Sequence, residues 1–257
     1  TWTQIGSDLD HEEQAHWEGD SGGYFDWYGY STSLSSNGSI LAIGGFWNDN
    51  ISSEYQPYGD NDGHVRVYKN LDGNLNQIGS DIDASSSSEF CGFSISLSAD
   101  GSILAASSPN AGLVRVFKNI DDSWTQLGEN LIAFTPGSNS YKKSLSVDIS
   151  NDGTFIVVGN PDYESESGQL KVFQYTNETW TQMGSSINGD NLSQLGNSVQ
   201  ISSDGLIIAA TGSKNGTSGY ANVYKYKNQS WTLMREESTE SSSHIYEGRS
   251  ISLSDDG

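Results

Sequence analysis

Two of the four histidines stand in His11-Glu12-Glu13-Gln14-Ala15-His16. A helix that clamps zinc between two histidines needs them at i and i+4, so that both project from one face. Here they sit at i and i+5, with Gly19, Gly22 and Gly23 close behind, so the segment reads as a loop. His64 and His244 lie beside no Gly-x-Ser-x-Gly elbow that would make a nucleophile. Asp60-Asn61-Asp62-Gly63 is the one dense acidic turn and the candidate for a calcium ion, which wants six to eight oxygens. No other cofactor is expected. The remaining carboxylates are dispersed among Ser, Asn and Gly, which suits a solvated surface better than a paired acid and base. No catalytic residue is expected, and the chain reads as a non-enzyme.

The aromatic residues are more informative. Trp17, Tyr24, Phe25, Trp27, Phe46, Trp47, Tyr55 and Tyr58 all fall near the start of the chain, at positions repeated nowhere else. Flat rings beside Asp, Asn and Glu bury a large area at small entropic cost, which suits a protein contact or the stacking of a sugar. The alternative is that they fold back to plug their own unit. Six Asn-x-Ser/Thr sequons occur, at Asn37, Asn50, Asn177, Asn191, Asn215 and Asn228. That number is near chance for this composition, so their placement in turns and loops carries the case for glycosylation.

Whatever these residues do, 257 residues with 12 cations against 33 acids, a net charge of −21, must hold them in place. So few cations cannot neutralise a nucleic-acid backbone or an anionic membrane. No apolar run reaches the ~18 residues of a membrane span, and Thr1-Trp2-Thr3-Gln4 is no signal peptide. The single cysteine, Cys91, can form no internal disulfide and reads as a small buried residue.

A repeat organises the chain. Asn37-Gly38, Asp100-Gly101, Asp152-Gly153, Asp204-Gly205 and Asp256-Gly257 recur at intervals of 63, 52, 52 and 52 residues. Each lies between two β-type runs and is expected to form a two-residue type I′ hairpin turn. An alternating strand precedes each turn, as in Ser94-Ile95-Ser96-Leu97-Ser98, and a continuously apolar one follows, as in Ile103-Leu104-Ala105-Ala106. A third strand, such as Val114-Arg115-Val116-Phe117, leads to a fourth of the form Trp124-Thr125-Gln126-Leu127-Gly128. Four antiparallel strands per ~50 residues, repeated, predict an all-β chain: a β-propeller of four-stranded antiparallel blades with about four and a half repeats. The recurring Trp reads as a blade-packing residue. The repeats run over about 1–73, 74–122, 123–178, 179–229 and 230–257 of a single domain.

These residues resemble the FG-GAP repeats of the integrin α-chain head and of secreted bacterial and algal repeat proteins. The Phe-Gly-x-Ser start of that family is similar to Tyr28-Gly29-Tyr30-Ser31, Cys91-Gly92-Phe93-Ser94, Leu195-Gly196-Asn197-Ser198 and Glu247-Gly248-Arg249-Ser250, while Lys143-Ser144-Leu145-Ser146 departs from it. Its Gly-Ala-Pro element resembles Ser107-Ser108-Pro109 and Gly159-Asn160-Pro161. The resemblance implies that the alternating strand is innermost and that the chain is a fragment, incomplete at its C-terminal end, of a five- to seven-bladed ring. The family's calcium loop is not carried over, because bare Asp-Gly turns occupy its place.

The first repeat stands apart through two insertions: 27 residues from Gly38 to Val65 against 13, 17 and 16 elsewhere, and 24 from Gly6 to Tyr30 against 14, 17 and 13. They hold the eight aromatic residues named above. Loops particular to one repeat of a rigid scaffold are where binding resides. The sequence therefore points to a non-enzymatic extracellular or cell-surface module, structural or adhesive, whose partners are other protein subunits or domains. A carbohydrate-binding propeller using the same loops is the alternative.

Overall fold

The structure is a computed structural model that describes residues 4, 6–9, 27–47, 62–134, 144–214, 218–238 and 250–257. Four antiparallel sheets follow one another along the chain. The first holds β1 (Ser31–Leu34), β2 (Ile40–Gly45), β3 (His64–Leu71), β4 (Asn74–Gln77) and the two-residue β5 (Ile82–Asp83), which returns to pair with β3. The second repeats the pattern with β6 (Ile95–Leu97), β7 (Ile103–Ser108), β8 (Leu113–Ile120), β9 (Ser123–Gln126) and β10 (Leu131–Ile132). The third does so with β11 (Ser146–Ile149), β12 (Phe155–Asn160), β13 (Gln169–Thr176), β14 (Thr179–Gln182) and β15 (Ile187–Asn188). Among the described residues the fourth holds β16 (Val199–Ile201), β17 (Ile207–Lys214), β18 (Ser218–Lys227) and β19 (Ser230–Ser238). Because β4 pairs with β3, each sheet is offset by one strand from the sequence repeats.

The inner strands β1, β6, β11 and β16 lie side by side in chain order, so the sheets radiate from them as the blades of a β-propeller. The apolar strands that follow the Asp-Gly turns are buried on both faces, as their composition predicts; in β7 only Ile103 is not fully covered. Blade-to-blade cores form between successive sheets, one joining Val65 and Val67 to Leu104, and another joining Val114 and Val116 to Ile156.

The turns after the inner strands differ from expectation. Type I′ needs positive φ at both central residues, yet Gly38, Gly101, Gly153 and Gly205 have φ of 70–74° while Asn37, Asp100, Asp152 and Asp204 are not in the left-handed region. The Gly101 amide bonds back to the Ser98 carbonyl at 2.9 Å, which places Ala99 and Asp100 at the centre of the turn and the glycine after it. Asp100 Oδ1 accepts from Ser98 Oγ at 2.8 Å and from the Ser102 amide at 2.9 Å. That side-chain clasp closes the loop with an ordinary Asp backbone. Type I′ geometry occurs instead between the third and fourth strands, at Asp72-Gly73, Asp121-Asp122, Asn177-Glu178 and Asn228-Gln229, where both residues of each pair have positive φ.

The glycine of each Asp-Gly turn also packs on the preceding blade. A Cβ on Gly101 would stand 2.7 Å from Ile40, and Gly153 and Gly205 meet Ile103 and Phe155 in the same way. The turns are joined edge to edge as well, the Ser36 amide donating to the Ala99 carbonyl and the Ala99 amide to the Asn151 carbonyl, each at 2.9 Å. The last described segment belongs to this series: the Ser203 amide donates to Asp255, and Gly257 meets Ile207.

At the outer edge the repeated Trp packs between blades, as predicted. Trp180 covers Gly128 and donates from Nε1 to the Leu127 carbonyl at 2.9 Å, while Trp231 covers Gly184 and donates to Met183 at 2.8 Å. The Gln two residues later holds a bend: Gln126 Nε2 donates to the Gly128 carbonyl and to Asn130. In Trp231-Thr232-Leu233-Met234-Arg235 both the Gln and the Gly are lost. Accordingly β19 stays paired with β18 over Ser230–Ser238, with a register shift at Val223/Tyr224, and among the described residues no returning short strand follows it.

Candidate functional site

The loops entering β1 and leaving β2 emerge at the same end of the first blade, and there they bring aromatic rings together. Trp27, Tyr30, Phe46 and Trp47 form one cluster: Trp27 meets Trp47 edge-on at 5.7 Å, and Tyr30 meets Phe46 at 4.5 Å between centroids. Phe90 and Phe93, from the second blade, complete it through contacts to Phe46 at 5.9 and 5.2 Å. Phe46 is the buried centre at 8% exposure, while Trp27, Tyr30 and Trp47 remain 47%, 48% and 40% exposed. The patch thus straddles the seam between the first two blades, with a packed ring beneath and open rings above.

A turn holds Trp27 outward. Its φ is +51°, in the left-handed region that a bulky side chain rarely adopts, and its carbonyl accepts the Tyr30 amide at 3.0 Å. The next residue anchors that turn. The Tyr28 hydroxyl lies 2.7 Å from that of Tyr68, its ring stacks on His64, and the Arg66 guanidinium sits 5.8 Å from the ring centroid while pairing with Asp81 at 2.9 Å. Burial, and then the hydrogen bond with Tyr68, push the Tyr28 hydroxyl far above its ordinary pKa, so it stays a neutral anchor at any physiological pH.

Of the eight predicted aromatic residues, the structure unites Trp27, Phe46 and Trp47; Trp17, Tyr24, Phe25, Tyr55 and Tyr58 lie outside the described residues. Tyr30, Phe90 and Phe93 were not singled out by sequence. For two of them a signal exists: Tyr30 and Phe93 occupy the same place before the repeat serine, where Leu145 and Asn197 stand in the next two repeats. Asp60 and Asn61 are outside the described residues too. Asp62 is within them, and it ties the first blade to the second: Oδ1 accepts the Ser88 amide and its carbonyl accepts that of Cys91, both at 2.9 Å. Among the described residues no group of three or more His, Cys, Asp or Glu could hold a metal ion.

Cys91 is fully buried and lies 3.2 Å from Arg115 Nη2. Burial, opposed by Arg115, raises its pKa, so the thiol is a packed, unreactive group. Asn37, Asn177, Asn191 and Asn228 are exposed on turns and loops, and Asn50 and Asn215 lie outside the described residues. Among the described residues, no helix is long and apolar enough to cross a membrane.

No protein-family model and no curated protein matches the chain. Solved structures do resemble it. Hydrazine synthase from Kuenenia stuttgartiensis superposes with a TM-score of 0.54 at 13% identity, over 88% of this chain and 53% of its own. A periplasmic gluconolactonase from Pseudomonas aeruginosa gives 0.54 at 16%, over 83% and 58%. A functionally unknown protein from Desulfotomaculum acetoxidans gives 0.53 at 14%, over 80% and 55%. The chain therefore spans a little over half the length of the structures it matches, and the likeness at these identities is one of fold: this chain shares the β-propeller architecture.

Proposed function

We propose that the chain is a non-enzymatic, extracellular structural or adhesive propeller module of the FG-GAP-like type, and that the aromatic patch at the seam of the first two blades is its contact surface. The observation that carries this reading is the exposure of Trp27, Tyr30 and Trp47 around buried Phe46. Such rings on a soluble surface resemble the central anchors of a protein interface, where Trp and Tyr dominate the binding energy. The Gly-x-Ser starts of the repeats support the FG-GAP-like reading, and the exposed sequon asparagines support a secreted one. The activity of the gluconolactonase belongs to that protein; at 16% identity its likeness brings only the fold.

A carbohydrate partner is the second reading, favoured by the open indole rings. Light scattering on the native particle and on the Trp27→Ala/Trp47→Ala variant tests the first against the second. A mass several times that of one native chain that falls toward the single-chain mass in the variant supports the structural reading. A single-chain mass, with glycan-array binding lost in the variant, supports the lectin. A hydrolase activity that disappears with one acidic pair overturns both.

A further inference from the structure

One register on the four inner strands holds Ser33, Ser96, Asp148 and Gln200. The first three each reach across a seam to an amide of the next blade. Ser33 Oγ accepts the Leu97 amide at 2.9 Å, Ser96 Oγ the Ile149 amide at 3.3 Å, and Asp148 Oδ2 the Ile201 amide at 2.9 Å. Two seams are thus stitched by a neutral hydroxyl, and the seam between the third and fourth blades by a carboxyl group. The turns at that seam differ as well. The Ser36 amide donates to the Ala99 carbonyl, the Ala99 amide to Asn151 and the Ser203 amide to Asp255, each at 2.9 Å, but no backbone bond joins Asn151 to Ser203. Asn151 Nδ2 donates instead to Ser203 Oγ at 2.7 Å. At the other end of β12 the same seam is closed by loops 162–168 and 190–195, where the Gln194 amide donates to the Glu166 carbonyl at 2.8 Å and Ser193 Oγ to the Ser167 carbonyl at 2.7 Å. Glu164, Ser165, Glu166, Leu192 and Gln194 all hold positive φ there, a backbone strain that offsets those bonds.

Among the described residues Asp148 has no counter-charge. The strands packed on β11, which are β6, β7, β12 and β16, contain no titratable or charged residue, and β11 itself has no other. Burial works against the charge of Asp100 and Asp152 in the adjoining turns, but the amide and hydroxyl donors that clasp them and Asp204 hold all three below their ordinary pKa, so they stay ionised where Asp148 titrates. Protonated, Asp148 keeps an oxygen for the Ile201 amide and carries no charge. Ionised, it gains full hydration only when the seam parts. Burial, opposed by the Ile201 amide and the Ser96 hydroxyl, therefore raises its pKa to about 6. We propose that Asp148 makes the seam between the third and fourth blades a pH-sensitive joint, closed when the carboxyl is protonated and opening locally when it ionises. A pKa raised in the closed state means that closure binds the proton. The stabilisation of the closed seam is complete below about pH 4 and lost by about pH 6, a rise in the opening equilibrium of up to about hundredfold. The joint does not depend on what the aromatic patch contacts, since that patch lies at the seam of the first two blades.

The test is native-state amide hydrogen exchange on the ¹⁵N-labelled chain between pH 4 and pH 7, at low urea concentrations and corrected for the intrinsic exchange rate. The Ile201 amide is expected to exchange through an opening that is insensitive to urea, hence smaller than global unfolding, and that becomes up to about hundredfold more populated across that range. The Leu97 amide, bonded to Ser33, should show no such opening. Asp148→Ser, which restores the hydroxyl of the two preceding seams, should remove the rise at Ile201. Exchange of Ile201 by global unfolding alone, a local opening equally populated at pH 4 and pH 7, the same pH-dependent opening at Leu97, or a rise that persists in Asp148→Ser overturns the proposal. If Asp148→Ser fails to fold by circular dichroism, the comparison of Ile201 with Leu97 in the unaltered chain decides.

Discussion

On Asp148 the inner strands of three blades meet. Oδ1 accepts from Ser96 Oγ in the blade before it at 2.7 Å, and Oδ2 accepts the Ile201 amide in the blade after it at 2.9 Å. Burial outweighs those bonds and raises its pKa to about 6. A raised carboxyl pKa means that the folded state holds the proton more tightly than the unfolded one, so this group's contribution to stability is lost as pH rises from about 4 to about 6. Asp148→Asn is therefore expected to flatten the pH dependence of the denaturation midpoint over that window and, by turning one accepting oxygen into an N–H₂ group, to leave either the Ser96 hydroxyl or the Ile201 amide without its acceptor. Urea titrations at pH 4.5 and pH 7 check both. The sequence shows Asp148 only as one polar residue in an alternating strand, because what makes it special is burial between neighbours 52 and 53 positions away. Asp204 behaves oppositely: the Ser202 hydroxyl and the Leu206 amide hold it below its ordinary pKa, a stabilisation that lapses only as pH falls through the acid range. At the aromatic patch, Trp47→Ala is expected to abolish partner binding and to shift stability by less than about 1 kcal/mol, because Trp47 is 40% exposed. A thermal melt and a pull-down on the same sample check the two halves.

The repeated elements owe their spacing to contacts between blades as much as to hydrogen bonds within them. Gly101 answers two demands, a φ of +72° and a contact in which Ile40 leaves no room for a Cβ. Gly101→Ala is expected to destabilise by about 2 kcal/mol or more, since both demands fail together, and chemical denaturation measures it. Trp180→Phe keeps most of the ring packing over Gly128 but removes the bond to Leu127, for an expected loss of about 1 kcal/mol by the same method. The strand order and the packing role of Trp were legible because each recurs at a fixed place, whereas the inner position of the Ser-x-Ser strands was an implication of the FG-GAP resemblance. The turn type was not. Asn-Gly and Asp-Gly favour type I′ locally, but the serine two residues before Asp supplies a hydroxyl clasp that settles another conformation, and in the sequence that serine reads as the last residue of the alternating strand. The uninterrupted pairing of β19 was hidden for a related reason: Leu233 and Arg235 replace the Gln and Gly of the bend, and the side-chain bonds that make the bend are not visible in the spacing of the repeat.

Across the molecule, repetition makes the framework, and the proposed contact surface lies where the repetition lapses. Three blades share an outer bend and a cation at the register of Arg66, Arg115 and Lys171, where the fourth has Asn222 and a β19 that stays paired to Ser238; two blades carry an aromatic residue before the repeat serine, and the next two do not. The patch of Trp27, Tyr30, Phe46, Trp47, Phe90 and Phe93 was half visible in sequence, where the insertions of the first repeat stand out by length. The half from the second blade lacked that signal, since it comes from a loop of ordinary length brought close only by the stacking of blades. The most direct test of the patch as a contact surface is hydroxyl-radical footprinting of Trp27 and Trp47 in the native assembly and in the isolated chain. Protection of both residues in the assembly, against ready labelling of the free chain, is the expected result; equal labelling in the two states would contradict it.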